Sequence, residues 1–291
     1  MSGSWRQWVG AVIAVGVLAV IAVAAFAFLE ARADPIVRRT AVALPDWPAG
    51  APPITVALLA DIHIGSVVMD QRRLTRIVGQ VNALRPDLVV IAGDLVDGHD
   101  PRRTAIDAPS LTAPLSRLRA PLGVVAVLGN HDHYTLPTLV AAAMRRAGIT
   151  VLANQALARG PLAVIGVDDA FTGHADAGEA LRQAARLSGA RLVVSHSPDL
   201  LPMLPPGSAP LVLTGHTHCG QGVVLGITLS PYLLHSKRIF DPRYRCGIVQ
   251  DPGRKVIITA GLGTSNLPFR IGAPPDLWLV RLGPAVSPPR P

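Results

Sequence analysis

The chain has 291 residues, a formal net charge of +8 and 49% hydrophobic residues. Its arginines are scattered and aromatic residues make up only 4%, so a basic stripe interleaved with aromatics is missing and nucleic-acid binding is disfavoured. Two cysteines cannot build a disulfide framework, so packing must hold the core together. A membrane surface or a small anionic substrate suits the positive charge better.

An apolar run opens the chain. Residues 9–29 carry no charge, and that length spans a bilayer as a helix. It exceeds the apolar core of about 7–15 residues found in signal peptides. We predict a membrane anchor or signal-anchor over residues 1–29. Cleavage after the small-residue segment 31–33 is the alternative.

The side of the membrane that the main domain faces is open. Arg6 precedes the apolar run, whereas Arg32, Arg38 and Arg39 follow it. The positive-inside rule then places the domain in the cytoplasm. An N-terminal signal-like segment favours export instead. The two cysteines, Cys219 and Cys246, are expected to be free thiols, and a disulfide is possible only if the domain is exported.

Composition divides the rest of the chain into three parts. Residues 30–53 are polar and proline-rich, which predicts a linker. Residues 54–282 are long enough for one α/β domain with a full core. Residues 283–291 are proline-rich and predict a disordered tail.

The main domain begins with a strand–helix–strand unit. Residues 54–60 form an apolar run, and apolar residues then recur at helical spacing after Asp70, which can cap the helix. Pro86 ends this helix, and residues 88–92 form a second apolar run, typical of a strand buried on both faces. This order predicts parallel strands joined by a crossover helix. Further strands are expected at residues 122–128, 162–167, 191–195, 211–214 and 277–282.

Five of the predicted strands stop at side chains that bind metal ions. Asp94 follows one buried strand through a glycine turn, and a carboxylate there needs a cation, a proton or several donors. The whole candidate set consists of Asp61, His63, Asp94, Asn130, His196, His216 and His218. Each piece alone has an ordinary explanation as a helix cap, a turn residue or a loop histidine.

Seven ligands are too many for one ion and suit two. Imidazole, carboxylate and amide ligands without thiolate favour Mn, Fe or Zn, with Ni or Co as further options. We therefore predict two divalent or mixed-valence metal ions, with Asp94 bridging them.

These residues carry a resemblance to a known family. Five blocks resemble, in the same order, the motif blocks of the calcineurin-like metallophosphoesterases: Asp61-Ile62-His63, Gly93-Asp94, Gly129-Asn130-His131-Asp132, His196 and Gly215-His216-Thr217-His218. Residues 260–264, 268–270 and 274–276 resemble the branch of bacterial membrane-tethered phosphodiesterases. The resemblance covers about residues 54–282. Cys219 departs from the branch, which more often has glycine at that position.

The resemblance implies a fold and a set of roles. The fold is a layered α/β architecture with a central β-sandwich flanked by helices, preceded by one transmembrane helix. Asp61, His63 and His218 would hold the first metal, Asn130, His196 and His216 the second, and Asp94 both. A hydroxide shared by the two ions would attack phosphorus. His131 would stabilise charge or protonate the leaving group, and Asp132 would orient His131.

The function that follows is a phosphohydrolase, a phosphodiesterase first of all, acting on a phosphodiester or phospholipid-related small molecule. A pyrophosphatase acting on a nucleotide-linked lipid precursor is a second enzyme hypothesis. A non-catalytic metal-binding scaffold of the same fold is a third. The expected location is the bacterial inner (cytoplasmic) membrane, with one span and a bilayer as partner. No obligatory protein partner is evident from the sequence.

Overall fold

The computed structural model describes residues 2–228 and 240–285. Its α-helices are α1 Ser2–Arg32, α2 Gln71–Ala83, α3 Pro101–Ser110, α4 Thr112–Leu115, α5 Asn130–His133, α6 Pro137–Arg146 and α7 Ala177–Ala184. Short 3-10 helices are Pro198–Met203, His218–Gly220 and Pro242–Tyr244. The first seven strands are β1 Ile36–Leu44, β2 Ile54–Leu59, β3 Leu88–Ala92, β4 Val124–Val127, β5 Thr150–Val151, β6 Gln155–Arg159 and β7 Leu162–Gly166. The remaining strands are β8 Ala190–Val194, β9 Leu211–Thr214, β10 Val223–Val224, β11 Ile227–Thr228, β12 Gly247–Asp251, β13 Arg254–Ile258 and β14 Asp276–Pro284.

Two six-stranded sheets form the centre of the molecule. The first has the order β1-β14-β2-β3-β4-β5, and the second has the order β12-β13-β9-β8-β7-β6. Strands β2 to β5 are mutually parallel, as are β7, β8, β9 and β13. The buried apolar runs of these strands are what a sheet covered on both faces requires.

The sheets face each other across a shared core. Side chains from both, such as Val90 of β3 and Leu213 of β9, belong to one buried cluster. The helices α2, α4 and α6 cover the outer face of the first sheet, and α7 covers that of the second. This is the predicted β-sandwich flanked by helices. The predicted parallel unit β2–α2–β3 is confirmed, with Asp70 accepting a hydrogen bond from Arg73 N at the start of α2.

The predicted linker contains a strand of the first sheet. β1 pairs in parallel with β14 along its whole length, and Val42 and Leu44 are buried. The Arg38 guanidinium forms an ion pair with the buried Asp276 carboxylate. The linker interpretation of residues 30–53 is therefore wrong for Ile36–Leu44, because the flanking prolines mark the ends of a strand and not an extended spacer.

The two chain ends differ from expectation in detail. α1 is long and apolar enough to cross a bilayer, and it continues past the predicted end to Arg32. Its last turns are held by the domain, since Arg270 N donates to Ala27 O at 3.0 Å and Arg32 donates to Val67 O. Within the predicted tail, Gly283 and Pro284 complete β14, and residues 286–291 lie outside the described residues.

The expectation of free thiols is wrong. Cys219 and Cys246 form a disulfide. The sequence separation of 27 residues hid the pairing, because the fold brings the turn after His218 next to the start of β12.

We predict that β1 is required for the stability of the domain. A chain starting at Pro52 loses the two buried side chains Val42 and Leu44 and exposes the edge of β14, whereas a chain starting at Asp34 keeps β1. Burial of two such side chains is worth about 3–6 kcal/mol, which corresponds to a Tm about 10 °C lower in the shorter chain. Thermal unfolding of the two chains measures this. Equal Tm values would restore the linker interpretation.

Candidate metal centre

The site lies where the two sheets meet, at the carboxyl ends of five strands. Strands β2, β3 and β4 of the first sheet lead to Asp61, Asp94 and Asn130, and β8 and β9 of the second lead to His196 and His216. Neighbouring parallel strands bring their carboxyl ends to one edge, as the sequence predicted. All seven predicted ligands are buried in this one place.

Four of these ligands form a first group. Asp61, His63, Asp94 and His218 offer ligand atoms that all lie within 4.8 Å of one another. The Nε2 atoms of His63 and His218 are 3.2 Å apart, and His218 Nε2 is 3.5 Å from Asp61 Oδ1. His63 Nε2 is 3.5 Å from Asp94 Oδ2.

The remaining ligands form a second group around the same aspartate. His216 Nδ1 lies 2.9 Å from Asn130 Oδ1 and 3.2 Å from His196 Nε2. His196 Nε2 is 3.0 Å from Asn130 Oδ1 and 3.2 Å from Asp94 Oδ2. Asp94 Oδ2 therefore lies beside both groups, in the position of a bridging ligand.

These distances fit two metal ions. An ion with bonds of about 2.0–2.2 Å holds neighbouring ligand atoms about 2.9–3.5 Å apart, and the pair distances given above for both groups lie in that range. His196 Nδ1 lies 2.8 Å from Ala92 O, so a proton on that nitrogen leaves the Nε2 lone pair facing the second group. The residues present therefore match the requirements of a dinuclear centre.

The electrostatics of the site also match cation binding. Burial raises the pKa of Asp61 to about 8, because the carboxylate has been removed from water. Burial also raises the pKa of Asp94, but His196, His131 and His63 together outweigh it and hold that pKa well below its usual value. Burial lowers the pKa of His63 and His218, which keeps both imidazoles neutral, the form that binds metals. A divalent cation offsets the cost of burying the carboxylates.

The ligand loops have unusual backbone geometry. Asp61, His63, Asp94, His216 and His218 all have φ between 48° and 70°. Such left-handed conformations are costly for residues with a Cβ and concentrate at functional sites. Gly93 makes the close packing possible, since a Cβ there would lie 2.7 Å from His196 Nδ1.

His131 lies beside the ligands without joining either group. Its Nδ1 is hydrogen-bonded to Asp97 O, and its Nε2 faces a cavity of about 210 Å3, 3.4 Å from Ser265 Oγ. Its ring meets the edge of the His63 ring at a centroid distance of 4.7 Å. The side chain is thus placed to meet a substrate in the cavity.

Asp132 has a different role from the predicted one. Its Oδ1 accepts hydrogen bonds from Leu95 N and Val96 N, and its Oδ2 accepts one from Gly129 N at 2.9 Å. No hydrogen bond joins Asp132 to His131 in the described part of the chain. The expectation that Asp132 orients His131 is therefore wrong: it ties the loop after β3 to the loop after β4, and the Asp97 carbonyl holds the imidazole.

Arg270 is a further residue of the site whose role the sequence did not predict. It is fully buried, and Nη2 lies 3.2 Å from His218 Nδ1 while donating to Ala260 O and Gly263 O. The guanidinium therefore holds the loop behind His218 in place. The sequence could not indicate this role of Arg270, because the hydrogen-bond acceptors of its guanidinium are backbone carbonyls.

The cavity above the ligands has a mixed lining. Besides the ligands and His131, it is lined by His99, Tyr134, Phe171, Thr217, Gly220, Gln221, Phe240, Ser265 and Asn266. The Phe171 ring lies 4.7 Å from the His216 ring. His133, in contrast, pairs with Asp168 at 2.8 Å and stacks on His174.

Comparison with known proteins gives consistent matches. A family model described as calcineurin-like phosphoesterase matches residues 54–220. A "Transmembrane protein with metallophosphoesterase domain" from Danio rerio is 31% identical, over 94% of this chain and 62% of the relative. An "Uncharacterized metallophosphoesterase" from Aquifex aeolicus (strain VF5) is 30% identical, over 79% of this chain and 85% of the relative. A crystal structure of a dimetal phosphatase from Danio rerio has a TM-score of 0.49 and 16% identity, covering 72% of this chain and 88% of that one.

The chain thus spans just under two thirds of the length of the zebrafish relative and most of the bacterial one. The family model covers the strand ends that carry every predicted ligand. The chain belongs to the calcineurin-like phosphoesterase family.

Proposed function

We propose that the protein is a membrane-tethered phosphodiesterase with a dinuclear metal centre. The family supplies the general activity, hydrolysis of a phosphoric ester. The observation that carries the proposal is the position of Asp94 Oδ2, 3.5 Å from His63 Nε2 and 3.2 Å from His196 Nε2. One carboxylate beside two groups of ligands is the arrangement that two ions need.

We assign each candidate ligand to one of the two ions or to both. Asp61, His63 and His218 would hold one ion, Asn130, His196 and His216 the other, and Asp94 both. When bound, two divalent ions supply Lewis acidity and a hydroxide nucleophile at neutral pH. Mn, Fe and Zn suit these ligands. The buried ligand loops keep the donors in place before substrate arrives.

His131 is our candidate for the general acid. Its Nε2 faces the cavity, and the hydrogen bond of Nδ1 to Asp97 O fixes the orientation of the ring. A protonated Nε2 there can donate its proton to the leaving oxygen, and a leaving alkoxide gains most from this.

The scaffold alternative is less well supported, because a chain without catalysis has no need for both complete ligand groups and this histidine. Among the described residues that line the cavity, none favours a pyrophosphate over a diester.

The tether and the disulfide together support a location. α1 is apolar along residues 9–29 and exposed over most of that length, and the zebrafish relative is named a transmembrane protein. Disulfides such as Cys219–Cys246 persist in oxidising compartments. We therefore place the catalytic domain on the extracytoplasmic side of a bacterial inner membrane, against the count of flanking arginines.

Asp94→Asn should impair both metal sites. The amide has one oxygen fewer and no charge, so the variant should retain less metal than His216→Ala, which removes a ligand of one ion only. Turnover of a p-nitrophenyl phosphodiester should fall by more than the roughly 10–100-fold that loss of an outer partner costs. Metal analysis of the purified chains, with circular dichroism as the control for folding, measures this. Two ions retained with near-normal turnover would rule out the bridging role.

His131→Ala should separate chemistry from metal binding. Loss of a general acid costs about 10²–10⁴ in rate, so turnover of a dialkyl phosphate should fall steeply while both ions stay bound. A p-nitrophenyl ester, whose leaving group needs little protonation, should lose less. His133→Ala, on the same short helix α5, is the matched control and should retain turnover. Equal losses on both esters would point to charge stabilisation, and loss of an ion would place His131 among the ligands.

The proposed orientation predicts from which side of the membrane a reagent can reach the two cysteines. In spheroplasts carrying the full chain, a membrane-impermeant maleimide should label both cysteines after treatment with an impermeant phosphine reductant, and neither without it. A Cys219→Ser, Cys246→Ser chain controls for background labelling. Labelling that needs lysis and no reductant would place the domain in the cytoplasm.

A further inference from the structure

An apolar groove runs along the membrane helix and ends next to the metal cavity. It has a volume of about 420 Å3 and is lined by Ala19, Val20, Val23, Ala24 and Ala27 of α1 and by Phe269 and Ile271. The lining side chains are all apolar. Alanine and valine side chains of α1 form one wall, and they belong to the apolar run that is long enough to span a bilayer.

The second wall belongs to the loop that also forms the rim of the active site. Ser265 and Asn266 line the metal cavity, and Phe269 and Ile271 line the groove. Asn266 and Phe269 are three positions apart in the sequence, so their Cα atoms are at most about 11 Å apart. Leu267 lies between them in the sequence and is 44% exposed.

The rim loop is fixed to the helix. Arg270 N donates to Ala27 O at 3.0 Å, and Gly272 N donates to Glu30 Oε2 at 3.2 Å. Ile271 is also hydrogen-bonded to Val223 of the β10–β11 hairpin, whose tip residue Leu225 is 97% exposed. Exposed apolar residues next to a membrane helix are suited to the interfacial layer of a bilayer. We therefore expect the rim loop to lie near the membrane surface.

We propose that the substrate is a membrane lipid phosphodiester, one of whose alkyl or acyl chains occupies this groove while its phosphate reaches the metal centre. The inference rests on the proposed function and names its substrate class. Headgroup layers are about 5–7 Å thick, and the step along the loop from Phe269 to Asn266 is long enough to cover that distance. Hydrolysis adds the oxygen of water to phosphorus, breaks the bond to one ester oxygen and transfers a proton to that leaving oxygen. The alkyl or acyl chain in the groove stays attached to phosphorus through its own ester bond.

Two phosphodiesters that share the same p-nitrophenyl leaving group test the proposal. The full-length protein in phosphatidylcholine nanodiscs is assayed with p-nitrophenyl phosphodiesters that carry either an ethyl or a hexadecyl group on the second ester. Each methylene moved out of water is worth about fourfold, so wild type should prefer the hexadecyl ester by about 100-fold or more in kcat/KM. Partition into the nanodisc contributes to this ratio and is the same for all variants.

The decisive measurement is the change of that ratio on filling the groove. Ala24→Trp places an indole in the groove and should lower the hexadecyl-to-ethyl ratio at least tenfold. Ala25→Trp, one residue along and exposed outside the groove, is the matched control and should leave the ratio within twofold. Phe269→Ser tests the other wall, and Met203→Ser, at another exposed apolar residue outside the groove, is its control.

The outcomes separate the two proposals. Hydrolysis of both esters with a ratio unmoved by Ala24→Trp and Phe269→Ser, or moved equally by their controls, overturns the lipid proposal and leaves the phosphodiesterase standing. Hydrolysis of neither ester by the metal-loaded wild type overturns the phosphodiesterase and the lipid proposal with it.

Discussion

The structure depends on one electrostatic constraint: carboxylates buried where two sheets meet. Asp61 and Asp94 have almost no contact with water, and each lies at the end of a strand that must be buried to build the core. Hydrogen bonds compensate only part of this cost: Asp61 accepts from His216 N and Asp94 accepts from His131 N. Asp61 Oδ1 also lies 3.5 Å from His218 Nε2, and Asp94 Oδ2 lies near the imidazoles of His63 and His196. A pair of divalent ions would supply the positive charge that two buried carboxylates require.

That constraint explains why the loops around the site are bound to each other so densely. Asp132 joins two ligand loops through three backbone N–H groups, and Arg270 joins the last loop to His218. Neither residue faces the substrate cavity. Both hold ligands at spacings that an ion requires, and outer partners of this kind commonly decide metal affinity.

Much of the fold and most of the site follow from local patterns. The apolar runs of β2, β3 and β9 are short, continuous and directly followed by polar residues, so both the strands and the ligand set could be predicted from the sequence. β1 could not be predicted, because the alternation of apolar and polar residues along it is weak and prolines flank it at both ends. The role of Asp132 could not be predicted either, since its hydrogen-bond partners are backbone amides that only the folded chain brings together. The same holds for the Cys219–Cys246 pair and for the groove beside α1, which depend on contacts between distant segments.

The left-handed ligand residues make metal uptake and folding one linked equilibrium. Strain of about 1–3 kcal/mol at each of five positions is a standing cost to the native chain. Ions present at 1,000 times their dissociation constant would return about 4 kcal/mol per site to the native state. With ions bound as proposed, metal binding would offset part of this strain, so the free energy of unfolding would depend on the metal concentration.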